Sequence, residues 1–342
     1  MSKASVSRTV MPLLESGMIR EGEPVERAEG GPGRRKVPLT VRPDCVYLLG
    51  TDLEGGALRA CVLNACREVV AGEVWAIGPD WSRERLLREW RNLLERVLSQ
   101  AAIPAGCLAA VGAGLPGVVA RSGLATRTFL PSGHWSELDA AEPLRALGVP
   151  VAVANNVLCV SEYEQRLGLV RDERSFLSIL IRYGIGAALY AEGRQFAGET
   201  RFAGEIGHMR IYEDGPVCTC GLTGCLDVLA SGRTLPSLAS MDPAERLTVL
   251  RGRAQALGRG IANLLKVFQP PAVLLNGIYN PYAGEFQPLL AEALEAEFGN
   301  LPLVRPRLLF GEQAEFKSSI GAALRAGAEF LPDFFAARMD GV

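Results

Sequence analysis

The sequence predicts an α/β protein built as two related lobes around a cleft, with a short basic appendage ahead of them. Three observations point there. Apolar, β-branched-rich runs of strand length alternate with helical periodicities in two successive series. With 342 residues, 48% of them hydrophobic, the chain can bury two cores. The first 42 residues differ from the rest in texture and charge.

Residues 1–20 carry helical spacing, with Val6, Val10, Leu13, Leu14 and Met18 on one side and Gly17 where a C-cap would sit. Residues 21–36 turn polar and glycine-rich, ending in Gly30-Gly31-Pro32-Gly33-Arg34-Arg35-Lys36, a basic loop. From Cys45 the pattern changes. Runs at 45–51, 57–64, 68–75 and 108–113 read as strands, with an amphipathic helix over 82–101. The second series predicts strands at 150–154, 175–181, 185–191, 272–276 and 303–309, and helices near 156–168, 243–268, 284–298 and 316–330. Two strand-rich lobes follow, although the second series does not repeat the first residue by residue. Gly114-Leu115-Pro116-Gly117, just after a strand, supplies a rigid turn at the expected cleft edge.

A formal net charge of −2 offers no global attraction to nucleic acid. Residues 1–42 hold eight Lys/Arg against five Asp/Glu, whereas the remainder holds 28 against 33, so any nucleic-acid contact belongs to the N-terminal segment. No apolar run approaches the roughly 20 residues that cross a bilayer, and the start lacks the apolar stretch of a secretory signal. A cytoplasmic protein with no membrane partner is expected. Of eight cysteines, Cys45, Cys61, Cys66, Cys107 and Cys159 are scattered among apolar residues and read as small core residues rather than a disulfide framework.

The other three stand apart. From His208 the order is His, nine residues, Cys218, one residue, Cys220, four residues, Cys225. Four nitrogen and sulfur donors satisfy a tetrahedral zinc ion without leaving an open position, so the pattern predicts one structural Zn2+. Gly215 and Pro216 bend the chain ahead of Cys218, and Gly221 and Gly224 let it fold tightly. The competing reading is a set of ordinary thiols beside a core histidine.

Gly204-Glu205-Ile206-Gly207-His208, Cys218-Thr219-Cys220-Gly221 and Gly224-Cys225-Leu226-Asp227 together resemble the signature of the ROK family of sugar kinases and sugar-responsive repressors. Family-like order extends through the Gly-Leu-Pro-Gly turn, the Val151-Ala152-Val153-Ala154-Asn155-Asn156 segment and the Gly277 turn. The resemblance implies an actin-like ATPase (ribonuclease H-like) fold with a sugar cleft between its lobes, and a homodimer or dimer of dimers. It sets lobes at 43–154 and 155–342, with the last helix free to return to the first lobe. It also implies a sugar or sugar phosphate held by Asn155, Asn156, Glu205, His208 and Asp227, the last standing where the family more often has Glu. Carboxylate, amide and imidazole groups each suit sugar hydroxyls, and His208 can serve zinc through one ring nitrogen and the sugar through the other.

The chain departs from the family's kinases in three places. The catalytic Asp position is Asn156, whose amide is no base at neutral pH. The first phosphate loop reads Gly50-Thr51-Asp52-Leu53-Glu54-Gly55-Gly56-Ala57, where Glu54 brings negative charge towards phosphate. The second reads Arg182-Tyr183-Gly184-Ile185-Gly186, bulky where close backbone approach is expected. A kinase reading requires another carboxylate, such as Asp52 or Glu162, to serve as the base.

Ser2-Lys3-Ala4-Ser5-Val6-Ser7-Arg8-Thr9-Val10 resembles the recognition helix of the winged helix in ROK repressors, with Gly33-Arg34-Arg35-Lys36 as the wing. Ser2, Lys3, Ser5, Ser7 and Arg8 suit a major groove, and Arg34 and Arg35 suit the phosphate backbone. Two helices precede the recognition helix in a full winged helix, so residues 1–42 make a partial one. The expectation is a sugar-responsive repressor that has no kinase activity and that binds operator DNA if helices upstream complete the winged helix. The alternatives are an active sugar kinase and a sugar-binding protein that has lost DNA binding.

Overall fold

The computed structural model describes residues 10–23, 37–78, 80–120, 124–130, 133–135, 138–196 and 203–339. The predicted DNA-contacting residues Ser2, Lys3, Ser5, Ser7, Arg8, Arg34 and Arg35 lie outside the described residues. What is described there is the helical stretch 10–15 (α1), then β1 (Ile19–Glu21) paired antiparallel with β2 (Leu39–Val41).

The first large sheet contains β3 (Tyr47–Glu54), β4 (Ala57–Asn64) and β5 (Val69–Ala76) as an antiparallel meander. After α2 (Arg83–Ala101), β6 (Leu108–Leu115) joins β3 in parallel. A small sheet of β7 (Val118–Val119), β8 (Leu124–Leu130), β9 (Gly133–Trp135) and β10 (Leu138–Asp139) follows, then α3 (Glu142–Arg145). β11 (Val151–Asn155) completes the large sheet in the order β11-β6-β3-β4-β5 and runs into α4 (Asn156–Arg166).

The second sheet repeats this plan. β12 (Phe176–Ile181), β13 (Ile185–Ala191) and β14 (Arg194–Phe196) form the meander. α5 (Leu226–Ala230) and α6 (Pro243–Phe268) precede β15 (Ala272–Gly277), which is parallel to β12. α7 (Ala283–Phe298), β16 (Arg307–Phe310) and α8 (Lys317–Met339) end the chain, and the order β16-β15-β12-β13-β14 mirrors the first sheet strand for strand. The duplication absent from the residues is therefore present in the topology.

Each sheet is covered on both faces, which is why β3 and β12 are buried along their whole lengths. α2 packs Trp90, Leu93 and Leu94 against Leu49 and Leu58, while α8 brings Ala323 and Leu324 to Leu48 and Leu63 on the opposite face. In the second sheet α6 and α7 cover one face, and α4 packs Val157 and Val160 against Leu180 and Leu274 on the other. The helix that follows each sheet's last strand thus reaches the opposite sheet. The predicted strand over 303–309 begins only at Arg307, because Pro306 interrupts the run, and α8 runs beyond the expected 330 through Pro332. Among the described residues no helix is long and apolar enough to cross a membrane.

α8 lies unusually close to its neighbours. A Cβ on Gly50 or Gly112 would collide with the carbonyl oxygen of Ser319 or Ala322, and one on Gly321 would collide with that of Cys159 on α4. Gly321→Val is expected to destabilise the protein by about 3 kcal/mol, at the upper end of overpacking costs, in urea titration. An unchanged midpoint would contradict this contact.

Candidate functional site

The cavity between the lobes is walled by strand ends and turns. Pro116 and Gly117 follow β6, Asn155 and Asn156 join β11 to α4, Glu54 ends β3, and Arg182, Tyr183 and Gly184 form the β12–β13 turn. Glu205, His208, Asp227 and Arg233 complete it. All five predicted sugar residues, Asn155, Asn156, Glu205, His208 and Asp227, line this one cavity.

Their freedom differs. Asn155 caps α4, its side-chain oxygen accepting from Val157 N at 2.8 Å, while its amide donates to the Gly117 carbonyl. Asn156 is only 3% exposed. Its amide donates to the Leu53 carbonyl and its oxygen accepts from Ser318 Oγ, each at 3.4 Å, so both contacts are long. Asp227 accepts from Ile185 N at 3.1 Å and faces Arg233 at 3.5 Å. Burial raises the Asp227 carboxyl above its usual value, with Arg233 and His208 opposing. Glu205 is raised too, again by burial, with His208 opposing.

Sequence reasoning missed Arg233, which stacks over the Tyr183 ring at 4.8 Å and pairs with Asp227. No spacing rule announces it. It reaches the cavity only because the turn after α5 returns to β12, where Gly232 N donates to the Arg182 carbonyl at 2.6 Å. Glu54 and Arg182, known from the two loops, form an ion pair across the cleft from one sheet to the other. The two carboxylates offered as alternative bases lie elsewhere. Asp52 is fully buried, bound to Arg59 at 3.1 Å and to Ser319 Oγ, and Glu162 is tied to Arg166 and Tyr190.

Behind one wall of the cavity, His208, Cys218, Cys220 and Cys225 place their donor atoms within 4.8 Å of one another and could hold a metal ion. His208 Nδ1 lies 3.6 Å from Cys218 Sγ, and Cys220 Sγ lies 3.6 Å from Cys225 Sγ. Bonds of about 2.3 Å in a tetrahedron set donor atoms about 3.7 Å apart, so the spacing fits. The loop is shaped by its backbone. Ile211 N donates to the Gly224 carbonyl at 2.8 Å, Cys218 N to the Leu222 carbonyl at 2.7 Å, and Gly224 takes φ +65° against Tyr212. Burial pushes the Cys225 thiol up to about 12, while backbone donation from Leu222 lowers the exposed Cys220 thiol.

A sequence model described as the ROK family matches residues 48–300. The xylose repressor of Caldicellulosiruptor bescii is 28% identical over 348 residues, spanning 89% of this chain and 84% of the repressor. Among solved structures, a ROK family transcriptional regulator homologous to the Escherichia coli MLC protein aligns with a TM-score of 0.78 at 20% identity, over 100% of this chain and 92% of its own. The ROK hexokinase from Thermus thermophilus aligns with a TM-score of 0.68 at 26% identity, over 84% of this chain and 100% of its own. The expected actin-like α/β fold is borne out by these neighbours.

Glu54 gives the cleft a pH dependence. Burial, opposed by Arg182, holds its carboxyl at about 7 instead of the usual 4.5. A raised carboxyl adds stability that is complete below the unfolded value and is lost as pH climbs through the folded one. Glu54→Gln should therefore flatten the fall in stability between about pH 4.5 and 7, read from denaturant midpoints across that window. Parallel profiles for the two proteins would count against it. Asp52, Glu205 and Asp227 are raised in the same direction, so some slope should remain in the variant.

Proposed function

The chain belongs to the ROK family, and from that membership we propose that it is a sugar-responsive transcriptional repressor that holds a sugar between its lobes and does not phosphorylate it. The observation that carries the loss of catalysis is Asn156. Phosphoryl transfer needs a group to take the hydroxyl proton, and this position offers a buried amide held by Leu53 and Ser318. Similarity to a xylose repressor over 84% of that repressor's length supports the regulatory role. DNA is contacted by the segment ahead of residue 43, presented in pairs by a homodimer.

The sugar is held by Glu205, His208 and Asp227, with Asn155 and Asn156 shaping the cavity floor. Zinc, bound by His208, Cys218, Cys220 and Cys225, is structural. His208 offers Nδ1 to the metal side, which leaves Nε2 for a sugar hydroxyl. The charges favour an uncharged sugar. Both cavity arginines already pair with carboxylates, Arg182 with Glu54 and Arg233 with Asp227, while Glu205 adds a further acid. A phosphate would have to displace one of those pairs in a partly desolvated site.

The N-terminal segment is docked where lobe motion can reach it. Met18 is buried beside Leu13, Cys45 and Leu48, against Leu324 and Phe335 of α8. A sugar that binds the two lobe arrangements with different affinity shifts their populations and so changes how the DNA-binding segments are presented.

Three measurements test this reading. Gel shifts on operator DNA should change severalfold on adding the correct sugar, and no change with any sugar that binds would reject sugar responsiveness. In thermal shift, neutral pentoses and hexoses should bind at least about tenfold more tightly than their phosphates, a difference of about 1.4 kcal/mol. Purified protein should contain about one zinc per chain, and Cys225→Ser should lose the metal and melt earlier. Metal content well below one would remove zinc from the account.

A further inference from the structure

The Glu54–Arg182 pair does more than line the sugar cavity. Glu54, Gly55, Arg182 and Tyr183 also line a second cavity on the far side of the pair, together with Asp52, Arg59, Asn276 and Lys317. The pair is therefore a partition between two compartments of one cleft. It joins equivalent positions of the repeated sheets, since Glu54 ends β3 ahead of the β3–β4 turn and Arg182 follows β12 in the β12–β13 turn.

The second compartment has polar capacity, but among the described residues each cation that lines it is already paired. Asn276 is 4% exposed, and among the described residues its Nδ2 has no hydrogen-bond partner. Arg59 is committed to Asp52, Arg182 to Glu54, and Lys317 to Glu164 and Asn276. A polyphosphate extended from this compartment towards the sugar would meet the carboxylate of Glu54, fixed in place and sheltered from water, with Asp52 behind it. Like charges at such a site are screened weakly.

We propose that Glu54 is the specificity-determining residue that keeps a nucleoside polyphosphate from crossing the cleft to the sugar. This rests on the non-kinase reading but concerns a different position from Asn156, and it makes the exclusion a matter of binding rather than of chemistry. Removing the side chain joins the compartments and leaves Arg182 as a free cation at the junction. Replacing it by Gln removes the charge but keeps most of the wall. Removing Arg182 instead leaves the carboxylate in place without its partner.

The test is titration calorimetry of the full chain at about pH 8.5, where the Glu54 carboxyl, held at about 7, carries its charge, with MgATP and with inorganic tripolyphosphate, which separates phosphate recognition from base recognition. Glu54→Gly should bind both probes at least about tenfold more tightly than wild type, Glu54→Gln should gain less, and Arg182→Ala should gain nothing. Thermal melting and far-ultraviolet circular dichroism report folding, and if the glycine variant does not fold, the gain must appear in Glu54→Gln. Folded Glu54 variants with wild-type affinity for both probes overturn the inference alone, as does an equal gain in Arg182→Ala. Wild-type protein that binds MgATP and phosphorylates the sugar overturns this inference and the proposed function together.

Discussion

Gly50, Gly112 and Gly321 let the backbone of α8 touch what it packs on, and the cleft depends on that approach. α8 follows the last strand of the second sheet yet covers the first, while α4 follows the last strand of the first sheet and packs on the second. The helices meet where Gly321 faces the Cys159 carbonyl. A side chain there would push them apart, and because each helix is anchored on a sheet, the lobes would separate with it. The position of each cleft wall is thus set by a contact well behind the cavity.

The same crossing fixes the polar groups around the cleft. Lys317, Ser318 and Ser319 begin α8, and between them they reach three elements. Lys317 bonds Glu164 on α4 at 2.8 Å and Asn276 on β15 at 3.0 Å, Ser318 reaches Asn156, and Ser319 reaches Asp52 on β3. Buried groups of this kind are costly unless partnered, so any rearrangement that strips one of its partner is opposed by its desolvation. The start of α8 therefore holds two strands and a helix in one arrangement. In a regulator, a change in lobe geometry would have to exchange these bonds rather than stretch them.

Much of this was legible in the residues. Apart from the short β14 and the far end of α8, the long strands of both lobes and the long helices fell within a few residues of their predicted places because their apolar runs are continuous. The His208–Cys225 cluster was legible because its order of His and Cys matches a spacing that could hold a metal ion and that packing alone does not produce. The small β7–β10 sheet was not, since strands of two and three residues carry no period. The Arg233 contact and the Glu54–Arg182 pair were not legible as contacts either. Arg233 meets Tyr183 across 50 residues of chain and Arg182 meets Glu54 across 128, both through topology, with no local pattern to announce the meeting. The five cavity residues came from family likeness, and their differing freedom, with Asn155 consumed by capping and Glu205 open, required coordinates.

That difference bears on how a sugar could act on the lobes. Asn155 and Asn156 belong to the junction of β11 and α4, whereas Glu205, His208 and Asp227 all belong to the second lobe. A ligand gripped by the second group alone would bind without preferring one lobe arrangement, and an equal affinity for both shifts nothing. Preference arises only if the sugar also engages the opposite wall, at Glu54 or at the Pro116–Gly117 turn. The Arg182 that pairs with Glu54 is on the sugar's own side, so a hydroxyl competing for either partner would exchange a direct bridge between the lobes for one made through the ligand. Such an exchange would give a bound sugar a differential free energy between lobe arrangements, and α8, which runs from beside that bridge to Met18, is the rigid element that would carry it.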